Sequence, residues 1–260
     1  MSGRTFSRTT VRRTLMLAAA LVGGSFAIWS YAARTQPAPA QPGVSQAALV
    51  ARGRSLFVAG CASCHGLDAR GVHNMGPSLR GVGAQAADFY LRTGRMPLNN
   101  PKDQPNRNPP AYPPDQIAAL TAYIGFLGGP PIPHVDPAMG NISDGKQSFI
   151  KHCAGCHQAL ARGGIATGAI APTLEQATPT QVAEAVRIGP YLMPHFTTRQ
   201  INQTDINNLA RYVQYTKHPD NRGGWALGNI GPIPEGMVAW FIGLLSLLIV
   251  ARLIGERMEQ

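Results

Sequence analysis

All four cysteines of this 260-residue chain fall in two copies of one pattern, Cys61-Ala62-Ser63-Cys64-His65 and Cys153-Ala154-Gly155-Cys156-His157. Two thiols three positions apart share one helical turn, where they can add to the two vinyl groups of a haem. The adjacent histidine then falls under the iron as its proximal ligand. Each pentapeptide reads as a covalent haem c site, and the chain as a carrier of two covalently bound haem c groups. Other uses of paired cysteines fit less well. Zinc takes two CxxC pairs but has no need of a histidine directly after each second cysteine. A thioredoxin-like redox pair sits in a βαβ setting, whereas these motifs lie among helix-period residues, glycine and proline. Structural disulfides suit an exported chain, but a chance CxxCH is uncommon and two at corresponding places of a repeat are much rarer.

The residues around the motifs match as well, so the elements that position them come as a duplicated unit. Gly53 and Phe57 precede Cys61 by the same eight and four residues as Gly145 and Phe149 precede Cys153. Gly76-Pro77-Ser78-Leu79 answers to Ala171-Pro172-Thr173-Leu174, and the stretch from Leu91 to Met96-Pro97 answers to the stretch from Val186 to Met193-Pro194. Ile117, Leu120, Tyr123 and Ile124 match Ile206, Leu209, Tyr212 and Val213 at helical spacing. Each unit therefore predicts a helix ending at the cysteine motif, a loop, a short helix ending near a methionine, and a last helix with an apolar stripe. This order resembles the class I cytochrome c fold. The resemblance implies an all-α molecule of two tandem domains, in which the first and last helices cross closely at Gly53 with Tyr123 and at Gly145 with Tyr212.

His65 and His157 are the expected proximal iron ligands, and Met96 and Met193 the expected distal ones. Each methionine precedes proline in a loop after a short helix, and thioether ligation raises the potential as an electron carrier requires. His195, two residues past Met193, competes with it and would lower the second potential. Met75 lies too near the first motif to reach round, and Met139 falls in a linker, so both are expected in loops or packing. His73, His134, His152 and His218 are expected at the surface or in local hydrogen bonds.

The formal net charge of +10 raises nucleic acid or an anionic membrane as partners. Arg4, Arg8, Arg12, Arg13 and Arg34 precede the body, and Arg252 and Arg257 follow it, which leaves 16 basic and 10 acidic residues between 35 and 234. No basic patch interleaved with aromatics remains, and no nucleic-acid partner is expected. Residues 15–33 form an uncharged run about as long as a bilayer core, a signal sequence or signal anchor. Residues 237–254 read as a transmembrane helix, with Arg252 near one end. The arginines flanking both spans favour the cytoplasmic side and would leave the haem domains on the outer, periplasmic face of the cell membrane.

The expected organisation is residues 1–34 as signal sequence or anchor, 35–44 as a proline-rich spacer and 45–129 as the first domain. Then follow a linker at 130–140, the second domain at 141–222, a junction at 223–236, the membrane helix at 237–254 and a tail at 255–260. Within the first domain, residues 97–114 carry seven prolines in eighteen positions, which excludes helix or central strand. They read either as a solvated connection or as a loop for a partner.

Over residues 45–257 the sequence resembles one family, the dihaem cytochrome cc subunit of the actinobacterial menaquinol:cytochrome c reductase, or bcc complex. The stretches that carry this are CASCHG, GVHNMGPSL and TGRMP in the first unit, CAGCH and GPYLMPHF in the second, and GGWALGNIGPIPEGM running into the last span. The resemblance implies electron relay from a Rieske iron-sulfur subunit to the copper centre of a haem-copper oxidase, with quinol oxidised in a cytochrome b subunit. The chain would be a redox subunit of the enzyme with no substrate pocket of its own. A membrane-tethered carrier serving several partners is the alternative. A dihaem peroxidase or thiosulfate dehydrogenase would need an open or unusually ligated haem, against which both methionines speak. Two complete CxxCH units predict two haems that survive denaturation, which pyridine haemochrome quantitation with intact mass will count; a single covalent haem would remove the duplication argument.

Overall fold

The computed structural model describes residues 45–220, 227 and 232–258; the span expected at 15–33 and most of the 223–236 junction lie outside the described residues. The first half runs α1 (Gln46–Gly60), α2 (Ala62–His65), α3 (Gly83–Arg92) and α4 (Pro114–Phe126). The second runs a 3-10 turn (Pro137–Met139), α5 (Ile142–His152), α6 (Ala154–His157), α7 (Pro179–Ile188) and α8 (Gln203–Tyr215). A last helix, α9, covers Pro232–Met258.

Local chemistry explains where the helices start and stop. Proline opens α4 and α7, where its fixed φ suits the helix and its missing N–H costs nothing. Thr178 with Gln181, and Asn202 with Asp205, close reciprocal capping boxes on α7 and α8. Gly189 ends α7 in the left-handed region at φ 63°.

Each half is held by its first and last helices crossing without a side chain between them. A Cβ on Gly53 would collide with the Ala119 carbonyl and lie 2.8 Å from the Tyr123 Cβ. A Cβ on Gly145 would collide with the Asn208 carbonyl and lie 2.9 Å from the Tyr212 Cβ. This close approach lets Phe57 meet Tyr123, and Phe149 meet Tyr212, with ring centroids 5.3 Å apart in both halves. All four aromatic side chains are buried, so these contacts anchor two cores of similar design.

The duplication extends to the backbone. Ala69 and Ala161 both adopt left-handed φ, at 58° and 57°, inside the loop after the cysteine motif. Left-handed alanine is strained by roughly 1 kcal/mol, so the surrounding loop must impose it. The amide of Leu79 donates to the Ala69 carbonyl and that of Leu174 to the Ala161 carbonyl, each at 2.9 Å.

Two features differ from the sequence expectation. The all-α expectation misses a short antiparallel hairpin, β1 (Gly164–Ala166) with β2 (Ala169–Ala171), which pairs Ile165 with Ile170. The first half has five residues between Gly71 and Pro77, closed by a single Val72–Gly76 bridge. The second has eight between Gly163 and Pro172, enough to lengthen that bridge into two strands around Gly168 at φ 81°. Secondly, α9 begins at Pro232, before the expected 237, because prolines are tolerated in a first helical turn. Within α9, Ile233–Gly255 is long and apolar enough to cross a membrane, and Trp240, Phe241 and Leu247 are 74%, 68% and 69% exposed.

Helix α3 packs on α7 and joins the halves. There Asp88 chelates Arg92 at 2.8 and 2.9 Å, while Glu184 on α7 is fully buried and neither of its oxygens meets a donor. Burial, and then the charge of Asp88, push the Glu184 carboxyl up to about 9. A folded-state pKa above the unfolded one stabilises the fold at low pH, an advantage lost as pH rises from about 4.5 towards 9. Glu184→Gln, which stays neutral, will flatten this part of the pH–stability curve and raise stability at pH 8 by about 5 kcal/mol at most. Thermal melts of both proteins from pH 5 to 9 check the sign, since all other titrating groups are shared.

Candidate haem-binding sites

Helix α1 delivers the first motif: the Cys61 amide closes its last turn on the Phe57 carbonyl at 2.8 Å, and the His65 amide then bonds the Cys61 carbonyl at 3.0 Å. The second motif repeats this, with Cys153 on Phe149 at 2.8 Å and His157 on Cys153 at 2.9 Å. Both cysteines and the histidine of each motif thus share a single tight turn. Burial, reinforced by the neighbouring cysteine, pushes the Cys61 thiol up to about 11 and the Cys153 thiol up to about 12. Among the described residues no three of His, Cys, Asp and Glu converge as a metal cage.

Both histidines are oriented by a proline carbonyl. His65 Nδ1 lies 2.8 Å from the Pro77 oxygen and His157 Nδ1 lies 3.0 Å from the Pro172 oxygen. A carbonyl only accepts, so Nδ1 carries the proton and Nε2 keeps its lone pair for a metal. Burial pushes the His157 imidazole down, which keeps it neutral as ligation requires. Gly76 allows the first contact: a Cβ there would press at 2.8 Å on the Cys64 carbonyl and at 3.1 Å on the His65 ring. Sequence comparison of the units isolates the Pro77 and Pro172 positions but gives no reason for them, because the acting group is a backbone carbonyl.

The candidate distal residues follow the short helices as expected. Met96 packs on the first core, with its amide 3.2 Å from the Tyr90 carbonyl. Met193 packs on the second core and lines a cavity of about 250 Å³ together with Cys153, Cys156 and His157. His195 is exposed and lies outside that lining. Met75 and Met139 are 41% and 77% exposed. His73, His134 and His218 are exposed too, but His152 departs from expectation: it lines the second cavity, edge-on to Phe196 at 5.6 Å.

The cavity walls are apolar where Leu174, Val182, Val186, Leu209 and Val213 contribute, and polar at residues from the other half. The proline-rich segment is largely exposed but touches the second half, where Gln104 donates to the Tyr191 hydroxyl at 2.7 Å and Arg107 donates to the Gln176 carbonyl at 3.1 Å. Phe89, Arg95 and Arg107 of the first half thereby line the second cavity, which no spacing rule within one unit could reveal. An apolar slot, two thiols, a neutral imidazole with Nε2 available, a thioether and a cationic end together fit a covalently held haem.

Comparison with known proteins agrees with this chemistry. Residues 50–127 match the family model described as cytochrome c, and residues 140–213 match that of the cbb3-type cytochrome c oxidase subunit III. The cytochrome bc1 complex cytochrome c subunit of Corynebacterium diphtheriae is 33% identical over 276 residues, covering 96% of this chain and 97% of the relative. The protein of the same name from Mycobacterium bovis is 35% identical over 270 residues, covering 98% and 95%, and that from Mycobacterium tuberculosis is equally similar. With its two cytochrome c domains and near full-length similarity, the chain belongs to the cytochrome c subunits of cytochrome bc1 complexes and serves electron transfer.

Proposed function

We propose that this protein is a membrane-anchored dihaem cytochrome relaying single electrons from the Rieske centre of a menaquinol:cytochrome c reductase to the copper-bearing subunit of a haem-copper oxidase. The observation that carries the reading is near full-length similarity to bc1-complex cytochrome c subunits joined to two complete CxxCH sites. The match of the second half to an oxidase-subunit model supports the oxidase as acceptor. When bound, each haem supplies a one-electron ferric/ferrous couple. The chain's own residues do the rest. Cys61 and Cys64, and Cys153 and Cys156, would hold a haem through thioethers; His65 with Met96, and His157 with Met193, would supply its iron ligands. With both ligands supplied by the protein, oxygen and peroxide would find no open site, which would confine each haem to electron transfer.

The partners in this reading are the cytochrome b subunit, the Rieske subunit and the oxidase, in the plane of the membrane. Residues 45–129 and 141–222 form the two haem domains, supported by the helix pairs that cross at Gly53 and Gly145. Helix α9 is the C-terminal anchor, and outward placement of the haem domains follows from the flanking arginines.

Two experiments test this. Met96→His or Met193→His will lower that haem's midpoint on the order of 0.1 V, within the ~0.8 V that axial ligands span, without loss of covalent attachment. An unchanged titration for Met193→His, with loss of a low-spin signal in His195→Ala, would move the second ligand to His195. Mild-detergent purification through a tag on this chain will bring cytochrome b and Rieske subunits, and in that assembly disabling Met193 will leave quinol able to reduce the first haem while oxygen uptake collapses. Purification without those subunits, or normal reduction of the second haem when Met96 is disabled, would favour a tethered carrier.

A further inference from the structure

The second cavity contains a charge arrangement that the described residues leave unbalanced. Arg95 and Arg107, both from the first half, line it alongside His157 and Met193. Arg95 stacks on the Phe89 ring, 4.9 Å from guanidinium carbon to centroid, and its Nη1 is buried without an acceptor. Among the described residues Arg107 meets only neutral groups, the Gln176 side chain at 3.2 Å, the Gln176 carbonyl at 3.1 Å and the Gln181 side chain at 3.4 Å. Lys217 of the second half donates to the Ala177 carbonyl at 2.9 Å, beside the same Arg107. None of the three cations forms a salt bridge among the described residues. Burial holds the charged forms of all three down, and Arg107 adds repulsion on both Arg95 and Lys217.

Two arginines lining a largely apolar cavity, one with an orphaned buried N–H, call for an anion that the described residues do not provide. A buried donor without an acceptor costs about 1–3 kcal/mol, so such a group is kept where something else accepts from it. A haem carries two propionates on the edge opposite its vinyl groups, and planar guanidinium groups pair with carboxylates through two parallel bonds. We infer that Arg95 and Arg107 of the first domain bind the propionates of the haem held by the second, so that one domain completes and electrostatically tunes the other's cofactor site. This rests on the second cavity's being a haem site and goes beyond it by naming positioning residues across the domain boundary. A cation fixed beside the haem disfavours the ferric state and holds the propionates ionised. Arg95 and Arg107 thereby raise the second potential and keep it insensitive to pH near neutrality.

The test is spectroelectrochemical titration of each haem in the full-length protein, wild type against Arg107→Gln, Arg107→Lys and Arg95→Gln, with haem counted by pyridine haemochrome. Arg107→Gln will move the second haem's midpoint down, give it a pH dependence between pH 6 and 8, and leave the first haem's midpoint in place; Arg107→Lys will restore most of the shift. Arg95→Gln will act in the same direction on the second haem. If two haems are present and the second midpoint is unmoved in both Gln variants, or if only the first moves, the inference is overturned. Loss of the second haem from Arg107→Gln supports it when Lys restores the haem and overturns it when Lys does not. A wild-type count of one haem would instead overturn the underlying reading of the second site, which keeps the two failures distinguishable.

Discussion

The structure depends on fixing two imidazole rings. A histidine can present either ring nitrogen, and free rotation would spread the ligand over many directions. The bond from Nδ1 to the carbonyl of Pro77 or Pro172 removes that freedom and dictates the tautomer. A backbone acceptor is suited to the task, because its position is set by the fold and its charge never changes with pH. The rest of each half serves to put that carbonyl in place. The left-handed alanine at 69 or 161 turns the loop, the amide at 79 or 174 ties the loop back on itself, and the helix crossing holds the motif.

Much of this was legible in the sequence because it is written twice. A glycine eight residues before a cysteine means little alone, but Gly53 and Gly145 at the same offset, each with a partner tyrosine, point to one crossing used in both halves. The helix sequence, the positions of Met96 and Met193 and the apolar stripes of α4 and α8 follow from the same comparison. What the comparison could not show is what the halves do to each other. Glu184 resembles any polar residue on an amphipathic helix until α3 buries it. Arg95, just before the proline-rich loop, and Arg107 within it look like solvated charges until both are seen to line the second cavity. The hairpin escaped notice because three inserted residues leave no periodicity, and its isoleucines point outward.

The cross-domain contacts also account for the composition of residues 97–114. Proline limits the conformations open to the segment, so laying it against the second half costs less entropy than ordering a flexible loop of the same length. Gln104 and Arg107 then need few bonds to hold it, and neutral glutamines accept from Arg107 without removing its charge. The segment is held to the second half while keeping its cation.

The strap has a consequence for how the polypeptide comes apart. Tandem domains joined only by a linker melt as independent units, each with its own midpoint. Here the packing of α3 on α7 and the Gln104 and Arg107 contacts are lost whichever half unfolds first. The remaining half would be left with an exposed cavity wall, so its free energy is no longer its own. The stabilities of the two halves are therefore coupled, although their sequences repeat one design.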